Sequence, residues 1–177
     1  MAAINEGPET RTLSRRQLLA AGVGGAAAAA AAQARIAETA PVTSYPKLHV
    51  ATLAQLKPNQ PLMFNYPLKA QPSVLIDMGT AVPAGVGPNG SIVAYSLLCQ
   101  HMGCPVSYQP STRELVCPCH QTRYDPERLG SIIQGLAMTP LPRVLLVVRN
   151  NAVFAVGMTG LIYGYRSNLH PGTEVGA

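Results

Sequence analysis

The chain is poor in charged and in aromatic side chains. Charged residues make up 12% of its 177 residues, aromatic residues make up 5%, and tryptophan is absent. Nucleic-acid-binding surfaces typically combine basic patches with aromatic side chains. The net charge here is +5, but no basic run is interleaved with aromatics. This composition argues against a nucleic-acid partner.

Motifs for substrate chemistry are also missing. The eight acidic residues are scattered along the chain, and there is no phosphate-binding glycine loop and no motif for an activated nucleophile. We therefore assign no catalytic residue to this chain. Its hydrophobic content of 47% is nevertheless ample for the packed core of a single domain.

The first 40 residues differ in composition from the rest. Arg15 and Arg16 precede a stretch rich in Ala and Gly, which ends in an A-x-A site at 32–34. This order predicts a twin-arginine (Tat) export signal over 1–34, cleaved near Ala34, and a linker over 35–44. A retained membrane anchor and an alanine-rich helix of the mature domain are the alternatives. Against an anchor, the apolar stretch has about 15 residues, whereas a bilayer span needs roughly 20.

Export predicts a periplasmic protein that meets the Tat translocase on its way out of the cytoplasm. The Tat route carries folded proteins, often with a cofactor already inserted. In an oxidising compartment, thiols without a ligand role tend to pair as disulfides. Export of a folded protein with its cofactor inserted can therefore explain both the leader and the cysteines.

Short apolar runs separated by turn residues predict an all-β domain over 45–177. Most of the sixteen prolines and sixteen glycines follow residue 40, and β-branched runs at such spacing are typical of a sandwich or small barrel. Asn150 and Asn151 predict a hairpin turn, and 81–90 predicts a loop. The runs that we expect to form strands are 74–76, 92–98, 114–116, 144–148, 152–156 and 161–163.

All four cysteines and two of the four histidines lie in two short segments, CQHMGC at 99–104 and CPCH at 117–120. Each segment opens where a strand-like run ends, so we expect two loops at one end of the β-structure. A Cys2His2 zinc site would leave two cysteines idle. A pure disulfide scaffold allows three connectivities and gives the histidines no role. A [2Fe–2S] centre with two Cys and two His ligands leaves two cysteines, one in each loop, that can pair.

The two segments resemble the paired boxes of Rieske proteins, Cys-x-His-x-Gly-Cys and Cys-x-Cys-His-x-Ser/Thr-x-Tyr. CQHMGC matches the first box and CPCHQTRYD the second. The segment GLAMTPLP, with Pro140 and Pro142, resembles the proline-rich loop that covers the cluster in that family. The resemblance covers about residues 45–170. It implies an antiparallel β-sandwich or barrel with a cluster-binding subdomain of two loops at about 95–142, and one Rieske-type [2Fe–2S] cluster.

The resemblance also implies a role for each matched cysteine and histidine. A disulfide would tie the two loops together. The four metal ligands would be Cys99, His101, Cys117 and His120, and the disulfide would join Cys104 to Cys119. Neutral imidazoles in place of thiolates raise the reduction potential to roughly −150 to +300 mV, against about −400 mV for plant-type clusters with cysteine ligands only. The chain would thus be a one-electron carrier.

Neighbouring residues match the family with some departures. Thr122 and Tyr124 stand where the family places hydroxyl donors to a bridging sulfide and to a cysteine ligand, which raise the potential. Gly103 lets the backbone pass close to the cluster. Gln121 replaces a usual Gly and Gln100 a common Thr.

Further stretches resemble the small subunit of arsenite oxidases: VPAGVGP at 82–88, IVAYSLLC at 92–99, LPRVLL at 141–146 and GLIYG at 160–164. Dioxygenase ferredoxins generally lack the cysteine pair, and quinol-oxidising Rieske subunits carry a firm membrane anchor. The resemblance implies a periplasmic subunit that relays electrons from a large molybdopterin and iron–sulfur subunit to a soluble cytochrome c or azurin. The alternatives are a membrane-anchored subunit of a quinol-oxidising complex, the small subunit of a related oxyanion (iodate) reductase, and a zinc-binding structural module.

Overall fold

The structure, a computed structural model, describes residues 44–170. The predicted Tat signal over 1–34 and the linker, apart from Ser44, lie outside the described residues. The described range contains two single-turn 3-10 helices, Leu53–Gln55 and Pro126–Arg128. Neither is long and apolar enough to cross a membrane.

The described residues contain ten strands. They are β1 Leu48–Thr52, β2 Pro61–Asn65, β3 Pro72–Asp77, β4 Ile92–Ser96, β5 Ser107–Gln109, β6 Glu114–Cys117, β7 Thr122–Asp125, β8 Ser131–Gln134, β9 Arg143–Arg149 and β10 Ala152–Thr159.

The strands form two antiparallel sheets. The large sheet has six strands in the order β1-β10-β9-β4-β3-β2, and the small sheet has four in the order β5-β6-β7-β8. The small sheet is inserted in the chain between β4 and β9. The all-β prediction is therefore confirmed, and the small sheet lies within the span 95–142.

Strands β3 and β4 of the large sheet are buried on both faces because successive side chains point to opposite sides. Ile76 packs in one hydrophobic cluster with Leu115 of the small sheet. Its neighbour Leu75 packs in a second cluster with Val153 of β10. Burial on both faces explains why 92–98 is a continuous apolar run rather than an alternating one.

Side-chain hydrogen bonds also join a strand of each sheet to a connecting segment next to the other sheet. The buried Tyr95 hydroxyl donates to the Pro126 carbonyl at 2.8 Å, and the Tyr108 hydroxyl donates to Asn59 Oδ1 at 2.7 Å. Burial raises the pKa of Tyr95 well above its ordinary value. Its hydroxyl therefore keeps the proton that this bond uses.

Four of the six runs expected to be strands lie within strands, the run 92–98 continues two residues beyond the end of β4 at Ser96, and the expectation for 161–163 is wrong. The backbone N–H of Ile162 donates to Asn168 Oδ1 at 2.8 Å, and Asn168 Nδ2 donates to the Gly160 carbonyl at 2.8 Å. A side chain therefore takes the hydrogen bonds that a neighbouring strand would have made. Ile162 is buried, which accounts for the apolar character of the run.

The predicted hairpin turn is confirmed between β9 and β10. Asn150 and Asn151 have φ of 50° and 59°, and Arg149 pairs with Ala152 across the turn. Positive φ at both central residues is the requirement of a type I′ turn, and asparagine tolerates it better than most residues.

Candidate metal centre

The two loops that hold the cysteines and histidines meet at one end of the small sheet. The first follows β4 and is closed by hydrogen bonds from the Cys99 N–H to the Cys104 carbonyl at 3.0 Å and from the Gly103 N–H to the Cys99 carbonyl at 2.8 Å. The second is the turn between β6 and β7, where Cys117 pairs with Thr122. Each loop is therefore held in a tight shape by its own backbone.

A disulfide between Cys104 and Cys119 joins the two loops, as the resemblance implies. The sulfur atoms of Cys104, Cys117 and Cys119 lie within 4.8 Å of one another. Two of these atoms are committed to the disulfide, so Cys117 is the one of the three that keeps a thiol for a metal.

The remaining two cysteines, Cys99 and Cys117, are free and buried. Burial raises the pKa of the Cys117 thiol. Burial also acts to raise the pKa of Cys99, but hydrogen bonds from the Tyr124 hydroxyl and from the backbone N–H groups of His101 and Met102 help bring it below its ordinary value. The thiolate is the form that binds metals, so the surroundings of Cys99 favour that form.

The two histidines of the boxes approach each other directly. His101 Nδ1 and His120 Nδ1 are 3.1 Å apart, and the two rings meet edge to face with their centroids separated by 4.6 Å. His120 is exposed, whereas both free thiols are buried. Two converging imidazole nitrogens, carried by the same two loops as the two buried thiols, fit a Rieske centre, in which two His serve one iron and two Cys the other.

Tyr124 on β7 is completely buried and lies against the first cysteine ligand candidate. Its hydroxyl oxygen is 3.2 Å from Cys99 Sγ. Burial raises the pKa of Tyr124 far above its ordinary value. The hydroxyl is therefore protonated and can donate to sulfur.

Thr122 is also fully buried and is bound to the proline-rich loop. Its Oγ1 accepts a hydrogen bond from the Leu136 N–H at 3.3 Å, which leaves the hydroxyl proton for another acceptor. A Cβ on Gly135 would lie 2.4 Å from Thr122 Cα. Only glycine fits at this contact, which the sequence did not reveal.

The proline-rich loop, 135–142, connects β8 to β9. Pro142 is buried, and its carbonyl accepts from the Ser96 N–H at 2.9 Å. Pro140 and Met138 are exposed. The loop is thus anchored beside β4 while its tip faces outward.

Two further box residues have left-handed backbone conformations. Gln121, which stands where the family has Gly, has φ of 55°, a conformation that costs most side chains energy. Gly103 has φ of 71°, and a Cβ there would be 2.9 Å from Tyr163 Cδ1. Gly103 therefore allows a close contact with Tyr163. For Tyr163 the sequence predicted only a position in a strand.

Residues 47–148 match the family model described as the Rieske [2Fe–2S] domain. The chain is 39% identical over 166 residues to the iodate reductase subunit IdrB of Denitromonas iodatirespirans, covering 92% of this chain and 90% of that protein. It is 36% identical over 126 residues to IdrB of Pseudomonas sp. (strain SCT), covering 70% and 66%. The solved soluble domain of the Rieske protein II (soxF) from Sulfolobus acidocaldarius matches with a TM-score of 0.61 at 26% identity, covering 71% of this chain and 84% of that one.

Proposed function

Because this chain belongs to the Rieske [2Fe–2S] protein family and carries one such cluster, we propose that it is the electron-transfer subunit of an oxyanion oxidoreductase acting on iodate. The observation that carries this proposal is the similarity to the Denitromonas iodate reductase subunit, which extends over nearly the full length of both proteins. The sequence motifs had favoured arsenite oxidase, with iodate as an alternative. The iodate reductase relatives reverse that preference.

The bound cluster supplies one-electron transfer at a fairly high potential, since imidazole ligands carry no negative charge. The residues that would hold it are Cys99, His101, Cys117 and His120. The Tyr124 hydroxyl donates to Cys99 Sγ, and the disulfide keeps the two loops together. No residue of this chain is needed for substrate chemistry, which belongs to a catalytic partner.

The surface around the two histidines suits a close partner. The segments 97–112, 115–122, 129–142 and 159–165 contain no Asp, Glu, Lys or Arg. Seven large apolar side chains of these segments are exposed: Met102, Leu129, Ile133, Leu136, Met138, Leu161 and Tyr163. Exposed apolar patches of this kind mark protein–protein contacts. We propose that a large molybdopterin and iron–sulfur subunit covers this face.

The remaining partners and the location belong to the same proposal. A soluble cytochrome c or azurin would exchange electrons with the complex, in the periplasm, after export by the Tat translocase. The disulfide between Cys104 and Cys119 supports an oxidising compartment, because such bonds persist there. The twin arginine at 15–16 supports the Tat route.

The proposal is tested on the complex purified through a tag on this chain. We expect it to reduce iodate with a reduced soluble cytochrome c. We expect His120→Ala to abolish this turnover while the large subunit still co-purifies and still reduces iodate from a small artificial donor. His49→Ala, on the exposed face of β1, is the matched control and should behave as the wild type.

Three outcomes would contradict the proposal in different ways. Arsenite oxidation without iodate reduction would make the substrate wrong. Recovery of the chain in a membrane-bound cytochrome complex would favour the quinol-oxidising alternative. Recovery without any large subunit would overturn the role in an oxidoreductase complex.

A further inference from the structure

Gln100 connects the first loop to two other segments. With its amide oriented toward the segment 160–165, Gln100 donates to the Leu161 carbonyl at 3.3 Å and accepts from the Tyr163 N–H at 3.2 Å; the opposite amide orientation donates to the Leu98 carbonyl at 3.3 Å. The Thr139 hydroxyl lies 3.4 Å from the same amide group. One side chain thus ties the residue after Cys99 to the proline-rich loop and to the segment 160–165.

A second contact joins the first loop to the segment 160–165. The Tyr163 ring lies against Gly103, where a Cβ would be 2.9 Å from Tyr163 Cδ1 and 3.4 Å from Cε1. A larger residue at Gly103 would push the ring away, and its φ of 71° disfavours other residues as well. The loop and the segment are therefore in contact on both sides of His101.

The segment 160–165 is itself held rigidly from behind. The nearly buried Asn168 accepts from the Ile162 N–H and donates to the Gly160 carbonyl and to the Tyr45 hydroxyl, at 2.8, 2.8 and 3.1 Å. A buried side chain whose hydrogen bonds are all made fixes its surroundings. The segment can thus act as a support for Gln100.

The backbone of Gln100 acts on the Tyr124 hydroxyl. The Gln100 N–H donates to the Tyr124 oxygen at 3.1 Å, and that oxygen is 3.2 Å from Cys99 Sγ. A phenol has a single proton. Since the oxygen accepts from Gln100, the remaining direction for its own proton is the sulfur. Tyr124 has no exposed surface, so water does not compete.

We propose that Gln100 is a positioning residue for the cluster. Its side-chain bonds to Leu161 and Tyr163 hold its own N–H on Tyr124, and this contact directs the Tyr124 hydroxyl at Cys99 Sγ. Hydrogen bonds to ligand sulfurs tune the reduction potential of iron–sulfur clusters. The inference rests on the ligand role proposed for Cys99.

The test is a redox titration of the EPR signal of the purified chain. Gln100→Met keeps the length of the side chain but removes its amide. We expect the reduction potential to fall, by less than the fall that Tyr124→Phe produces. Gln109→Met, on β5, removes an amide that bonds to Ser107 Oγ and should leave the potential unchanged.

A double variant separates positioning from general loosening. In the Tyr124→Phe background, Gln100→Met should cause no further fall, because the hydroxyl through which Gln100 acts is gone. An equal fall in both backgrounds would overturn the inference, and so would an unchanged potential in Gln100→Met alone.

A variant outside the first loop keeps the test decisive if Gln100→Met does not retain its cluster. Asn168→Ala weakens the support of the segment 160–165, and we expect a smaller fall of the potential. No fall would overturn the inference. A wild-type chain without a Rieske signal would overturn the proposed function as well, whereas a normal wild-type signal with no effect of these variants would overturn the positioning role alone.

Discussion

The large sheet and the small sheet are stabilised by different means. Strands of the large sheet have five to eight residues, and β3 and β4 are buried on both faces. Strands of the small sheet have three or four residues. Small structures that bury little apolar surface depend on disulfides or metals. The short strands of the small sheet pack in one hydrophobic cluster with β3 and β4, and the disulfide between Cys104 and Cys119 cross-links the two loops at its end.

Charged pairs are concentrated on the small-sheet side. Arg113 pairs with Glu127, Arg123 with Glu114 and Arg128 with Asp125. Most of these side chains are partly exposed, and such pairs contribute little to stability, about 0–1 kcal/mol each. The ion pairs therefore add little to the hydrophobic cluster that the small sheet shares with β3 and β4, and the disulfide adds a cross-link between its loops.

The largest expected effect is the loss of a metal ligand. His120→Ala should abolish the Rieske EPR signal because the iron loses a nitrogen ligand, and hydrogen exchange should then speed up in β6 and β7. Exchange in β3 and β4 should stay slow because their protection comes from the hydrophobic clusters. An unaltered spectrum in this variant would show that the ligand set is wrong, and His49→Ala is the control.

Removal of the disulfide should destabilise the small sheet without removing the cluster. Cys104→Ala frees the two loops, and loss of a disulfide from a small exported domain typically costs about 2–5 kcal/mol. Urea unfolding of the holoprotein, followed by the visible absorbance of the cluster, measures the change. Full retention of stability would contradict the role given to the bond between Cys104 and Cys119.

A core change in the large sheet should have a comparable effect on stability but none on the potential. Leu75 is completely buried on β3, and Leu75→Ala should lower the free energy of unfolding by about 2–5 kcal/mol. The reduction potential should match the wild type, since Leu75 packs in the cluster of side chains away from the small sheet. A shifted potential would show that the two regions are coupled.

The smallest expected effect is a gain in stability at Gln121. Its φ of 55° is unfavourable for a side chain, and left-handed conformations cost roughly 1–2 kcal/mol. Gln121→Gly should remove that cost but lose the bond from Gln121 Nε2 to the Pro118 carbonyl. The freedom of glycine in the unfolded chain is a second cost. After both costs we expect the free energy of unfolding, measured in urea, to rise by about 0.5 kcal/mol. A clear loss would mean that the side-chain bond outweighs the strain.

Much of the candidate site could be predicted from the sequence because its chemistry is local. The boxes at 99–104 and 117–124 place their cysteines and histidines a few residues apart in the chain. Residues so close in sequence stay close in the folded protein. The β-structure of 92–96 was predictable because its apolar run reflects burial on both faces, and that of 144–148 because its short apolar run is rich in β-branched valine. The hairpin could be predicted from the two residues of its turn, Asn150 and Asn151, alone.

Contacts between distant segments were not predictable. The apolar run at 161–163 looks like a strand because the bond from Asn168 that replaces a strand partner involves a polar residue outside the run. The strands β5, β7 and β8 are short and partly polar, so they lack the apolar pattern of buried strands. In the sequence, Gln100 shows only that the common Thr of the family is replaced. The contact of its side chain with Leu161 appears only in the folded protein.

The most direct test of the central claim is pulsed EPR on the reduced, purified chain, produced with histidine labelled with 15N. We expect a rhombic Rieske signal with couplings from two histidine nitrogens, and the loss of the signal in His101→Ala and in His120→Ala. A cluster without histidine couplings, or zinc in place of iron, would contradict the assignment of the two boxes as the ligands of a Rieske centre.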